Sequence, residues 1–312
     1  MNGADFSKQG GGFVNRDRRK SLRVLLTGAS GGLGRPFGQA LVDAGHELVA
    51  TDRVCNEDYP VTVHICDLLD DVGLYKLAED CESVVHLGNH PHAGARRPPQ
   101  VVFNENVAMN ANVFQVALDV GMKQIIFASS IQVISGSRRG NHVDEPSGLA
   151  YLPIDGQLPT SPANLYGFSK HTGEQLLQYY AKMYPHLSCI AIRFPAMVRT
   201  GWDDYQQKQC QGRLMEWMHL DEAFTWLTLE DGASLVCASL SSQVEGYHCL
   251  QPSEPHNWLG VDLAWLIKKA YRHVVLKKPV DQLTGLVDLS HITDQFDWQP
   301  SEYGEHRHKK VA

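Results

Sequence analysis

The chain has 312 residues, 43% of them hydrophobic, and a formal net charge of −7. That length can bury one large core, or a core with a smaller lobe. The negative balance offers no attraction to nucleic acid or to an anionic membrane. The 7 cysteines include no Cys-x-x-Cys pair, which suits a reducing cytoplasm better than a disulfide framework or a zinc site.

Residues 1–21 are rich in Gly, Arg and Lys and lack an apolar signal-peptide core, so they read as a flexible tail. No apolar stretch is long enough to span a bilayer. Val24, Leu25 and Leu26 then form a short apolar run of the kind buried on both faces of a parallel sheet. Gly28, Gly31 and Gly34 follow at three-residue intervals, with Ser30, Gly32 and Leu33 between them. The next stretch reads as a helix, with Pro36 in its first turn and Gly45 as its stop. A strand, a glycine turn and a helix in that order aim backbone N–H groups and a positive dipole end at one point, which is a pyrophosphate site.

A second strand, 47–51, ends in Asp52, roughly 20 residues past the turn, where a dinucleotide fold wants an acid for the ribose hydroxyls. Asp52 repels a 2′-phosphate whereas Arg53 attracts one, and the acid favours NAD over NADP. Further strands are expected at 61–65, 83–87, 124–128 and 188–193, with helices at 106–120 and 166–184. Such alternation implies right-handed crossovers between parallel strands, hence a doubly wound α/β sheet of the Rossmann type over 22–196. After Phe194 the rhythm changes. Residues 203–212 are polar, 221–240 and 259–273 read as helices, and 197–300 are expected to form a small substrate lobe with interleaved elements. Residues 301–312, with their His and Lys, read as a second flexible tail.

Tyr166 and Lys170 stand four apart on a helix and share a face. A phenol ordinarily titrates at about 10; a neighbouring ammonium and an oxidised nicotinamide both draw it toward working pH. Ser129 and Ser130 end the fifth strand facing the same cleft, where a hydroxyl can hold a substrate oxygen while Tyr166 moves the proton. His86, His90 and His92 lie close in sequence without the further converging ligands a metal needs, so no metal is expected. His86 reads as a core residue, His90 and His92 as a loop bordering the cleft, and Arg96 and Arg97 as solvated. Arg213 offers a fork suited to a carboxylate. Trp217, Trp226, Trp258 and Trp265 read as packing residues.

Gly28-x-x-Gly31-x-x-Gly34, Asp52, Asp67-Leu68, His86-Leu-Gly88, Asn106, Ser130 and Tyr166-x-x-x-Lys170 together resemble the extended short-chain dehydrogenase/reductase family. This NAD-dependent epimerase/dehydratase group includes nucleotide-sugar epimerases and uronate dehydrogenases. The likeness runs from about Arg23 to about Glu222. It implies that Gly28, Gly31, Gly32, Leu33 and Gly34 cradle the pyrophosphate of NAD and that Asp52 holds the adenosine ribose. Asp67 and Leu68 would flank adenine, and Leu87, Gly88 and Asn89 would line the dinucleotide. Asn106, opening the long helix, would support that loop; Lys170 would hold the nicotinamide ribose, with Phe194 and Pro195 at the nicotinamide end. Ser30, Arg53, Ser129 and Tyr166 complete the implied cofactor set. Ser130, Tyr166 and Lys170 would be catalytic, and Asn89, Ser130, Ile131, Gln132, Ala196 and Arg213 would meet the substrate.

Two departures bear on substrate. Ala196 stands where nucleotide-sugar epimerases usually carry an asparagine. Ile131-Gln132 replaces both the Asp-Glu pair of sugar dehydratases and the Asn-His pair of uronate dehydrogenases. The implied function is NAD-dependent oxidation of a hydroxyl on a sugar, a sugar acid or a similar small polar molecule. An epimerase with tightly bound NAD and a non-catalytic NAD sensor are the alternatives. A cytoplasmic homodimer is expected, paired through the two long helices, with Phe114 and Tyr180 as their surplus apolar residues.

Overall fold

The computed structural model describes residues 21–55, 58–91, 97–135, 147–199, 220–257 and 259–301. His92, Arg96, Arg213, Trp217, Trp258 and both expected tails (but for Ser21 and Ser301) lie outside the described residues. The strands in chain order are β1 (Arg23–Thr27), β2 (Glu47–Asp52), β3 (Val63–Ile65), β4 (Ser83–His86), β5 (Gln124–Ser130) and β6 (Tyr151–Leu152). They continue with β7 (Ser188–Phe194), β8 (Ala196–Val198), β9 (Trp226–Thr228), β10 (Gly246–Leu250) and β11 (Val275–Leu276). The helices are α1 (Gly34–Asp43), α2 (Asp71–Ala78), α3 (Pro99–Asp119) and α4 (Leu165–Met183). Three more follow: α5 (Leu229–Ser241), α6 (Leu263–Ala270) and α7 (Ser290–Phe296).

A 7-stranded sheet runs β10-β7-β5-β4-β1-β2-β3, and every pair in it is parallel. Sequence pattern explains why it sits at the centre. β1, β4, β5 and β7 are near-continuous apolar runs, buried throughout except for Arg23 at the start of β1 because helices cover both faces. On one face Leu26, Ile126 and Ile192 pack with Phe37 and Leu41 of α1, Leu235 of α5 and Phe296 of α7. On the other, Leu25, Ile125 and Phe127 meet Leu74 of α2, Phe114 of α3 and Leu177 of α4. The order reverses at β1, whose neighbours are β4 and β2, so a crevice opens at the carboxyl ends there.

A third apolar cluster, including Ile131, Leu152, Ile154, Leu266 and Tyr271, gathers the later chain beside those ends. The two small sheets, β6 with β11 and β8 with β9, also belong to the later chain's architecture. Between them α5 and β10 return to the main sheet, β10 pairing with β7 as an edge strand. This is how elements of 197–300 interleave with the sheet.

Four expectations are revised. α3 begins at Pro99 rather than 106, because Pro98 and Pro99 open a helix well when they fall at its first positions. The span 221–240 is not one helix. A 3-10 turn at Leu220–Glu222, left-handed residues at Ala223 (φ 53) and Phe224 (φ 49) and strand β9 precede α5. The Thr228 hydroxyl then accepts from the Asp231 N–H and sets the helix start. The helix read over 259–273 is shortened to α6, which Asp262 caps. Phe114 and Tyr180, expected at a subunit interface, are core residues. Phe114 stands edge-on to Phe127 at 5.4 Å, and the Tyr180 hydroxyl donates to Gln115 at 3.2 Å. The outer face of α4 exposes Phe168, Tyr179 and Met183 instead, and Tyr184 is exposed just past its end.

Candidate active site

The glycine turn between β1 and α1 is shaped by close backbone approach. Gly28 has φ +73, and a Cβ on it would lie 2.7 Å from the Gly88 nitrogen. A Cβ on Gly34 would overlap the Gly28 carbonyl, so α1 starts hard against the turn. Gly32 faces open space, with nothing within 4 Å of where a Cβ would be. A tight turn with an open outer face at a helix start fits the diphosphate of a dinucleotide. Asp52 ties this turn to β2: its carboxylate accepts from the Ser30 N–H at 3.0 Å and the Arg53 N–H at 2.6 Å.

Two cavities meet at the carboxyl ends of the strands. One, of about 210 Å³, is lined among others by Asp52, Arg53, Cys66, Leu68 and Met109. The other, of about 380 Å³, is lined by Gly32, Leu33, Ser130, Tyr166, Lys170 and Pro195 among others. Gly28, Gly31, Leu87, Asn89, His90 and Pro91 line both, so the cavities form one waisted cleft over the glycine turn.

The floor of the larger cavity is held by buried polar bonds. His86 accepts from the Thr27 hydroxyl at 2.7 Å and donates to Asn110 at 2.9 Å, and Thr27 in turn accepts from the Gly88 N–H at 3.2 Å. Burial, with the Lys170 charge adding to it, lowers this imidazole to about 3, so it stays neutral and structural. Lys170 donates to the Ala128 carbonyl at 2.6 Å and to Asn89 Oδ1 at 2.8 Å. Burial pushes its amine down to about 7.

Tyr166 enters from the first turn of α4, which begins where Asn164 caps the Gly167 N–H at 2.8 Å. Burial raises the phenol, the Ser130 hydrogen bond lowers it, and the Glu222 carboxylate raises it again; the net shift is upward. Lys170 does not lower it here, because an amine brought down to about 7 has shed its proton before a raised phenol ionises. Ser130 lies beside Phe194 in the β5–β7 register and accepts from the Gln132 N–H at 3.2 Å.

Ser130, Tyr166, Lys170, Phe194 and Pro195 therefore share one cavity with the glycine turn. Others stand elsewhere. Asp67 is exposed and accepts from the Leu69 N–H, leaving Leu68 to line the smaller cavity. The Ser30 hydroxyl donates to the Val54 carbonyl, away from the cleft lining. Ser129 lines the cleft but spends its hydroxyl on Glu174 at 2.6 Å. Ile131 is buried in the lobe cluster, Gln132 accepts from Asn164 at 3.0 Å, and Met197 rather than Ala196 reaches the cavity. Asn106 is buried in the second turn of α3, not at its start, and clamps His90.

Several lining or supporting residues carry no motif of their own, notably Cys66, Met109 and Glu222. Glu174 had a usable signal: it lies four residues beyond Lys170 on the same helical face. Among the described residues no three His, Cys, Asp or Glu side chains converge as a metal would require. Among them too, no helix is long and apolar enough to cross a membrane.

A seven-stranded parallel sheet with a glycine turn at its switch point and a Ser-Tyr-Lys set at the mouth defines a Rossmann-type α/β protein of the short-chain dehydrogenase class. The chain belongs to the NAD dependent epimerase/dehydratase family, whose pattern matches residues 24–238. It is 27% identical over 205 residues to a uronate dehydrogenase of Pseudomonas syringae, covering 64% of this chain and 66% of that enzyme, just under two thirds of its length. The fold is similar to that of the uronate dehydrogenase from Agrobacterium tumefaciens, with a TM-score of 0.63, 21% identity, and 94% and 90% of the two chains covered. It is equally similar to UDP-glucose 4-epimerase from Bifidobacterium longum in complex with NAD+ and UDP, with a TM-score of 0.66, 20% identity, and 89% and 93% covered.

Proposed function

We propose that the chain is an NAD-linked oxidoreductase that removes the elements of hydride and proton from a hydroxyl-bearing carbon of a sugar, a sugar acid or a similar small polar molecule. The observation that carries this is Tyr166, hydrogen-bonded to Ser130 and backed by Lys170, in the same cavity as the glycine turn. When bound, oxidised NAD supplies the hydride acceptor and a positive charge. Gly28, Gly31, Gly32 and Gly34 seat its diphosphate through backbone N–H groups, and Asp52 takes the adenosine ribose hydroxyls. Lys170, already directed to this wall by Asn89 and Ala128, holds the nicotinamide ribose. Ser130 orients the substrate hydroxyl, and Tyr166 accepts its proton as the C–H bond yields its hydride. Because burial holds the phenol up, Tyr166 becomes a base only once positive charge enters the cleft.

Dehydrogenation is favoured over epimerisation because Ala196 offers no amide to a sugar diphosphate. Ile131, buried in the lobe cluster, and Gln132, whose amide oxygen accepts from Asn164, stand in place of the Asn-His pair of uronate dehydrogenases, which points to a substrate related to uronates but distinct from them. A spectrophotometric screen of sugars, sugar acids and nucleotide sugars for NADH appearance, with product analysis, tests this. A released ketone or lactone with stoichiometric NADH supports it. An epimer formed without net NADH would place the chain among the epimerases. We further propose a homodimer through α3 and the exposed face of α4; light scattering that finds a monomer at micromolar concentration refutes this.

A further inference from the structure

His90 occupies the waist of the cleft and belongs to no motif. It lines both cavities, with Gly28 and Gly31 of the glycine turn facing the same junction. Its position is rigid. The His90 N–H donates to Asn106 Oδ1 at 2.7 Å, and its carbonyl accepts from Asn106 Nδ2 at 3.2 Å. The imidazole is oriented as well, since Nε2 lies 2.5 Å from Glu105 Oε2 and Arg97 holds the same carboxylate at 3.0 Å. The imidazole side chain is only 9% exposed.

An ionised carboxylate only accepts, so Nε2 carries a proton. Nδ1, the other ring nitrogen, has no hydrogen-bond partner among the described residues. In a neutral ring that atom presents a lone pair, which repels phosphate oxygen; in an imidazolium it presents a second N–H, which binds one. A dinucleotide spanning both cavities would bring its diphosphate to this waist, since Gly28 and Gly31 of the glycine turn line both cavities with His90. Glu105 stands behind the ring as a ready counter-charge.

We propose that His90, backed by Glu105, is a proton-linked clamp on the cofactor's diphosphate: one proton from solvent enters at Nδ1 as the dinucleotide binds and is donated to a phosphate oxygen. This rests on the reading of the cleft as an NAD site. The charges facing the ring come from several elements. Glu105 of α3 favours imidazolium by direct contact, and Asp52 at the end of β2 favours it across the smaller cavity. Arg97 ahead of α3, Arg53 after β2 and Lys170 of α4, reached through Asn89, oppose it. Glu105 is the nearest, and two phosphate charges join its side on binding.

Calorimetric titration of the full chain with NAD, in buffers of different ionisation enthalpy from roughly pH 6 to pH 9, tests it. Wild type should take up protons from solvent on binding NAD. Its Kd should then rise with pH, by at most about tenfold per pH unit. ADP-ribose, which keeps the diphosphate, should take up the same proton, and adenosine should not. His90→Gln keeps a donor but cannot titrate, so the uptake and the pH slope should vanish together. Glu105→Gln removes the counter-charge and should move the loss of affinity to lower pH, which covers the case of a His90 variant that does not fold. Proton release on binding, no uptake, or an uptake unchanged in folded His90→Gln overturns the clamp while leaving NAD binding in place. Failure of wild type to bind NAD at all removes the cofactor reading and the clamp with it.

Discussion

Replacing Glu174 by alanine would strand a guanidinium in the middle of the protein. Arg193 and Glu174 have side chains only 4% and 1% exposed, at the ends of β7 and along α4. The pair is bidentate, with Nε to Oε1 at 2.9 Å and NH2 to Oε2 at 2.8 Å. Among the described residues, only the Leu158 carbonyl, at 3.3 Å, would remain as a hydrogen-bond partner of the Arg193 side chain. Breaking a buried pair by removing one partner costs about 3–5 kcal/mol, because the other charge stays desolvated. For a domain of this size that lowers Tm on the order of 10 °C. Denaturant and thermal unfolding of Glu174→Ala, Arg193→Met and the double variant Glu174→Leu/Arg193→Met are the assay. Each single variant should lose that amount, and the double should recover much of it, since an apolar pair leaves no orphaned charge. Single variants within about 1 kcal/mol of wild type would refute the reasoning, because surface-like pairs have that value.

Two buried bases each contribute a rise of stability with pH, whereas the raised Glu254, at about 8, contributes a fall between about 4.5 and 8, and the raised Cys189 and Cys249 thiols contribute a fall above about 9. The lowered His86 binds fewer protons folded than unfolded between about 3 and 6.5, and the lowered Lys170 does so between about 7 and 10.5. Lys170→Met should therefore flatten the upper contribution, read as denaturant midpoint against pH and compared with wild type, and narrow the lower one without abolishing it, because burial still lowers His86 once the Lys170 charge is gone. Gly34→Ala, whose Cβ meets the Gly28 carbonyl, should abolish NAD binding or folding, whereas Gly32→Ala should fold normally; equal behaviour of the two would contradict the turn geometry. Asp52→Ala should admit NADP, and wild type binding NADP as tightly as NAD would show that Arg53 dominates.

The sheet was legible because parallel strands buried on both faces leave continuous apolar runs, as Val24–Leu26 and 124–128 do, with glycine stops between them. Local chemistry also fixed the glycine turn and the helical pairing of Tyr166 with Lys170. What escaped depends on partners far apart in sequence. Gly246–Leu250 is short and lies outside the strand–helix alternation of the sheet region, and it becomes a strand by pairing along the edge of β7. Ile131 and Gln132 follow Ser130 immediately, yet the 3-10 turn at Ile131–Val133 buries Ile131 in the lobe cluster and turns Gln132 to Asn164 at the start of α4. The upward pull of burial on Tyr166 was not legible, because spacing reports proximity to Lys170 but not the desolvation of both groups. His90 was placed at the cleft border by its loop; the carboxylate behind it lies a helix away, and no spacing rule joins them.

Comparison of wild type with Tyr166→Phe on the substrate found by the screen tests the central claim most directly. The substitution removes one oxygen and keeps the ring. NAD affinity should be nearly unchanged, because the diphosphate, adenine and ribose contacts lie on other residues. Turnover should fall by about 10²–10⁴-fold, the contribution of a positioned acid–base group. A Tyr166→Phe protein that binds NAD and turns over at the wild-type rate would contradict the account at its centre.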